Sequence, residues 1–186
     1  MALSKITTES LLDGEITAAK FASGAVTPVP KTVQTHVIVA SSQSISANTA
    51  ANITNLNATI TPTAGTKILI TVRWNGEGAN AGSEDTVFGI RRDTTIVGDP
   101  DAASSRAIGI AIIAQGFYSS SADSSPNSCF YQYLDSPSTG SAITYHATIK
   151  HVASQTLYNN RSVTDTDNGS YERLTSTITL QEVVAP

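Results

Sequence analysis

The sequence predicts an all-β protein, an antiparallel β-sandwich or jelly roll preceded by an extended N-terminal segment with short helical turns. Three observations carry that prediction. Apolar and polar residues alternate at period two in several stretches, most cleanly from Thr66 to Trp74, as expected of strands with one face buried. Helical periodicity is absent past Pro30. The alternating stretches are short and are separated by runs of Gly, Pro, Asn and Ser, which favours two stacked antiparallel sheets.

The chain opens on a pattern written twice, Lys5 to Gly14 and Glu15 to Gly24. Each copy begins near an Ile-Thr pair, places a large apolar residue five positions after the Ile, and closes on Asp-Gly or Ser-Gly. A Thr in each copy can cap the short turn that follows, and the Gly ends it without a Cβ clash. Ile6, Leu11, Leu12, Ile16 and Phe21 are left with no partner inside so short a unit, so their cover must come from outside it. These five residues are the predicted contacts of an attachment and assembly segment, residues 1–30. Pro28 and Pro30 resist helix and mark a spacer, after which residues 31–186 form the predicted sandwich.

Within the sandwich, Ile68, Ile70, Val72 and Trp74 share one face against Lys67, Thr71 and Arg73, and Asn75-Gly76 is expected to turn the chain. From Ala142 to His151, Ile143, Tyr145, Ala147 and Ile149 share a face. From Tyr171 to Val184, Leu174, Ile178, Leu180 and Val184 do so. Shorter candidates are Thr32–Ala40, Ile53–Thr61, Asp85–Arg92, Ser105–Ile113, Ser128–Leu134 and Ser154–Tyr158.

The segment Lys5-Ile6-Thr7-Thr8-Glu9-Ser10-Leu11-Leu12-Asp13-Gly14-Glu15-Ile16-Thr17 resembles the N-terminal leader of tail-fibre and other appendage proteins of marine phages and cyanophages. Those leaders repeat short Ile-Thr and Asp-Gly units ahead of a β-rich domain. The resemblance covers about the first 30 residues and extends weakly to the last strand, Leu174 to Val183. It implies a virion structural protein, assembled in the host cytoplasm, that anchors by its N-terminus to other phage proteins of the tail or capsid. It also implies a homotrimer.

Composition narrows the alternatives. Only 14% of the residues are charged and the net charge is −4, against about 25% charged in ordinary soluble domains. A weakly charged polar surface suits packing against copies or neighbours, and the negative balance disfavours nucleic acid, which requires concentrated positive charge. Cys129 is the single cysteine, which excludes an intrachain disulfide and a zinc site built on cysteine pairs; it reads as a small packed hydrophobe. No stretch has the charged and apolar regions of a secretory signal or the length of a membrane-spanning helix.

Residues capable of chemistry do not assemble into a motif. Asp165-Thr166-Asp167-Asn168-Gly169 suggests a calcium loop, but neither frame places oxygen ligands, Gly and the final Glu at the required positions; a turn before the last strand is the plainer reading. His146 and His151 are an odd number of residues apart on one strand and face opposite ways, so they read as solvated strand histidines. No Gly-x-Ser-x-Gly elbow, HExxH motif or phosphate loop is present, and the acidic pairs lie in loops. The prediction is a non-enzymatic protein that needs no cofactor and no metal. Among the aromatics, Trp74, Tyr118 and Tyr131 are the candidate contacts for a host surface glycan or protein, the plainer reading of each ring being a core position. The loops Glu77–Asp85 and Ser119–Asn127 are the expected outward tips. Competing readings are a capsid decoration protein or head fibre, a soluble lectin or tumour-necrosis-factor-like ligand domain, and an enzyme acting on a host polysaccharide.

Overall fold

A computed structural model describes residues 30–78, 85–102, 104–113 and 124–183. The leader, with Ile6, Leu11, Leu12, Ile16 and Phe21, lies outside the described residues, as does Tyr118. The strands are β1 (Thr32–Val37), β2 (Ser41–Ile45), β3 (Ala51–Ile60), β4 (Lys67–Gly78), β5 (Thr86–Arg92), β6 (Thr95–Val97), β7 (Ala111–Ile112), β8 (Asn127–Asp135), β9 (Ile143–His151), β10 (Gln155–Asn159) and β11 (Ser176–Val183).

Two antiparallel sheets stack on one core. Sheet A contains β1, β11, β4 and β8 in that order, extended by β10 and β2; sheet B contains β3, β9 and β5, with β6 and β7 sharing the far edge of β5. The pairs β1–β11, β3–β9, β4–β8 and β5 with β6 or β7 nest inside one another along the chain. A long hairpin rolled onto itself gives that nesting, and it is the jelly-roll arrangement of a sandwich.

Alternation determines which side chains enter the core. Ile68, Ile70, Val72 and Trp74 of β4 meet Ile178 and Leu180 of β11 on one side of the core. Phe88 and Ile90 of β5 and Ile143, Tyr145, Ala147 and Ile149 of β9 supply the other side. In β3 both Ile53 and Leu56 are buried, although strict alternation would separate them. A register shift between Asn52 and Asn57, with Asn55 at φ 61°, resets the phase and turns both inward.

Several expectations need correcting. Asn75-Gly76 is not a turn, because β4 continues through it to Gly78 and pairs with β10. A Cβ on Gly76 would run into the carbonyl of Tyr158 and the ring of Trp74, so this glycine permits close strand approach. The stretch Ser105–Ile113 contains only the two-residue strand β7, and the last strand begins at Ser176 instead of Tyr171. The strands β2 and β6 were not predicted; Ser41–Ile45 has one fully buried apolar residue, Ile45, so its pairing with β10 leaves almost no hydrophobic trace.

Where β11 leaves the edge of β4 and β10 takes over, backbone groups lose their ladder and side chains replace it. Asn160 Nδ2 donates to the carbonyl of Val37 at 2.7 Å, Ser176 Oγ donates to Asn160 Oδ1 at 2.6 Å, and the Asn75 N–H donates to Ser176 Oγ at 3.0 Å. Trp74 Nε1 joins this junction by donating to Asn159 Oδ1 at 2.8 Å. Buried polar groups remain inexpensive only when paired in this way.

At the start of the sandwich, Glu182 fastens the incoming chain. Its carboxylate, only 2% exposed, accepts the Lys31 N–H at 3.2 Å, the Thr63 N–H at 2.5 Å and the Thr66 hydroxyl at 2.9 Å. Burial pushes its pKa up, but the donors from Thr63, Lys31 and Thr66 outweigh burial and hold it down at about 2, against an ordinary 4.5. A depressed carboxylate stabilises the fold fully above its ordinary pKa and loses that contribution as pH falls toward 2. Glu182→Gln is therefore expected to cost about 1.5–3 kcal/mol at neutral pH, the range for hydrogen bonds to a charged group. It should also flatten the fall in melting temperature between pH 5 and pH 2, as measured by calorimetry across that range.

Candidate interaction face

The outward side chains of β1, β11, β4 and β8 form one continuous surface on sheet A. Strand register aligns them in rows: His36, Thr177, Arg73 and Phe130; then Gln34, Thr179, Thr71 and Gln132; then Thr32, Gln181, Leu69 and Leu134. The middle row is hydrogen-bonded across the strands. Gln34 Nε2 donates to Thr179 Oγ1 at 2.7 Å, and Gln132 Nε2 donates to Thr71 Oγ1 at 3.0 Å. His36 Nε2 lies 2.6 Å from Gln34 Oε1 and extends the network to the corner of the face. Such cross-strand ladders hold amide and hydroxyl groups in fixed positions before any partner arrives.

No carboxylate points outward from these four strands, although the whole chain carries a net charge of −4. The charged groups on the face are the cations Lys67 and Arg73. Apolar groups flank the polar rows: Phe130 is 63% exposed and Leu134 45%. Ile38 and Val39, just past the end of β1, are also exposed. A surface with an uncharged polar centre and apolar corners has the chemistry of a protein contact.

The predicted site residues fall elsewhere. Trp74 is completely buried, with its ring 5.1 Å from that of Phe88, and Tyr131 is 5% exposed, with its hydroxyl donating to the carbonyl of Gly89 at 2.9 Å. Neither can stack on a host glycan; they join the two sheets. Burial raises the Tyr131 phenol well above its ordinary pKa, with the neighbouring Cys129 adding to the effect. Of the two expected outward tips, residues 79–84 and 119–123 lie outside the described residues; at their ends Glu77 and Ser125 are buried, and the Glu77 carboxylate accepts the N–H groups of Ser125 and Val163 at 3.0 and 2.7 Å. Cys129 is the packed hydrophobe expected, buried beneath sheet A, with burial pushing its thiol to about 12.

His146 and His151 do face opposite ways, but His151 lies on the buried side of β9, with Nδ1 2.9 Å from the Ala153 carbonyl, and is not solvated. Desolvation, then Arg91, lowers the His146 pKa, while Asp93 opposes them. In the acidic loop, Asp165 bridges Arg173 at 2.5 Å and Arg161 at 3.6 Å, and one antiparallel bridge between Arg161 and Arg173 closes the loop. The two Asp165 oxygens are thus occupied by guanidinium groups. Among the described residues, no group of three or more His, Cys, Asp or Glu is placed to hold a metal ion.

Alternation in the sequence shows that Gln34, Thr71, Gln132 and Thr179 point away from the core. It does not show that they form one row, because that depends on which strands pair and in what register. No protein-family model matches this chain, and no curated protein sequence matches it.

Proposed function

We propose that this chain is a virion structural protein, a subunit of a phage tail fibre or short appendage. In this reading the leader anchors it, and the jelly roll assembles with copies of itself through the outer face of sheet A, as a homotrimer. The observation that carries it is the face without outward carboxylates on a negatively charged chain. Copies of a net-negative protein repel, and a patch lacking acidic groups with its hydrogen-bonding side chains already in position is where that repulsion is weakest. The leader resemblance gives the setting, and the attachment of Lys31 to Glu182 gives a firm path from leader to sandwich. The role in this reading is assembly and adhesion, and Glu77, Asp135 and Glu182, the buried carboxylates of the described residues, are engaged in holding the fold. Glycan stacking on Trp74 and Tyr131 loses support in the appendage and lectin readings alike, since both rings are in the core. Whether the particle site is tail or capsid depends on what the leader grips.

The test is to place charge in the middle row. Thr71→Glu with Thr179→Glu puts two adjacent carboxylates on each copy. The double variant is expected to keep the wild-type circular dichroism spectrum and to dissociate to single chains in sedimentation velocity at micromolar concentration. An assembly of unchanged mass would remove this face from the proposal.

A further inference from the structure

The sequence contains the pair Asn-Gly twice, and the fold treats the two copies differently. Asn75-Gly76 lies inside β4, paired with β8 on one side and β10 on the other. Asn75 is buried, its Nδ2 donates to the carbonyl of Thr175 at 2.6 Å, and its N–H is held by Ser176 Oγ. Asn168-Gly169 lies in the loop before β11, and both residues are exposed. There Asn168 Oδ1 accepts the Ser170 N–H at 2.9 Å, which folds the carboxamide back over its own C-terminal peptide bond. The Tyr171 N–H donates at 3.1 Å to the Asn168 carbonyl, part of the same peptide group as the Gly169 nitrogen. Gly169 carries no Cβ, and a Cβ built there would meet nothing within 4 Å, so the approach to its nitrogen is open. The ion pairs of Asp165 with Arg161 and Arg173 brace the loop in this shape.

We propose that Asn168 is a site of self-modification, a deamidation that proceeds through a cyclic imide formed with Gly169 and is completed by water. The Gly169 nitrogen loses its proton to solvent and bonds to Asn168 Cγ. The Cγ–Nδ2 bond breaks, and Nδ2 leaves with a proton from solvent as ammonia. Water then adds to either carbonyl of the imide and opens the ring. The product is an aspartyl residue, or an isoaspartyl link in which the main chain runs through Cβ and Cγ; nothing is oxidised or reduced. Both hydrogen bonds assist the first step. Negative charge develops on Oδ1 as the nitrogen attacks, and the Ser170 N–H is already in place to stabilise it. The bond from Tyr171 draws electron density from the Asn168–Gly169 peptide and makes its N–H easier to deprotonate. Asn75 has neither advantage, because closing the ring would require its carboxamide to leave Thr175 and the β4 backbone to leave its ladder. Each event places a further carboxylate in a loop that already carries Asp165, Asp167 and Glu172. The inference does not rest on the assembly reading, since it uses only groups within this loop.

The experiment is a timed incubation of the full chain at neutral and mildly alkaline pH, with a parallel incubation in guanidinium chloride. Trypsin then releases residues 162–173 and 74–91 as separate peptides, one for each Asn-Gly pair, and mass spectrometry with fragmentation locates the change from amide to acid. In the folded chain Asn168 is expected to convert to a mixture of aspartyl and isoaspartyl forms, faster as pH rises, and at least as fast as in denaturant. Asn75 should convert about a hundredfold or more slowly when folded than in denaturant, because its reaction must wait for a central strand to open. Gly169→Ala, for which the loop has room, should slow conversion at Asn168 severalfold by crowding the attacking nitrogen. Slower conversion of Asn168 in the folded chain than in denaturant, conversion of Asn75 that keeps pace with it in the folded chain, or an unchanged rate in Gly169→Ala would each overturn the proposal.

Discussion

Replacing Trp74 with alanine is expected to lower stability by about 3–5 kcal/mol, the usual range for truncating a fully buried large aromatic. For a domain of this size that is a fall of roughly 6–20 °C in melting temperature. The indole is wholly enclosed, stacks at a tilt on Phe88, and alone donates to Asn159 Oδ1 at the point where β10 replaces β11 beside β4. Alanine would open a cavity between the sheets and leave that acceptor unpaired at the same time. Trp74→Phe keeps one six-membered ring in the core while removing the donor and the rest of the indole, so a smaller loss, about 1–3 kcal/mol, is expected. Chemical denaturation of the three proteins checks the order. A Trp74→Ala protein as stable as wild type would show that the ring is not in the core, and would restore it as a candidate surface contact.

Asp135→Ala is the second large effect. Asp135 Oδ2 accepts from Arg92 Nη1 at 2.8 Å and from the Tyr145 hydroxyl at 2.6 Å, so one oxygen ties β8 of sheet A to β5 and β9 of sheet B. Burial, then the bonded Asp135, holds the Tyr145 phenol above its ordinary range, with Arg92 opposing; it therefore stays protonated and donating through neutral pH. Removing the carboxylate strands a guanidinium that is partly buried and a phenol that is wholly buried. Breaking one member of a buried pair costs about 3–5 kcal/mol. Asp135→Asn retains an acceptor for one of the two donors and should lose less. Thermal unfolding of the two variants beside wild type gives the comparison, and equal melting temperatures for Asp135→Ala and wild type would contradict it.

The fold was largely legible because burial on one face imposes a period that polar composition does not erase. Ile68 to Trp74 and Ile143 to Ile149 alternate cleanly, and both stretches are central strands. The failures have physical causes. Asn75-Gly76 has turn chemistry, yet here the glycine serves close approach of β10, a tertiary requirement with no local signature. The short β2 and β6 are held by pairing more than by burial. Trp74 and Tyr131 are candidate surface rings only because they lie near Gly- and Ser-rich stretches; the plainer reading of each as a core ring, which the alternation containing Trp74 supports, is the one that holds. The candidate face was legible only as a set of outward residues. Its rows depend on β1 pairing with β11 and β8 with β4, contacts between residues more than a hundred positions apart in the first case.

The most direct test of the assembly reading is the molar mass of the full chain by light scattering at neutral pH and micromolar concentration. Three chain masses of 19.4 kDa are predicted. A single chain mass that persists as concentration rises would contradict the account.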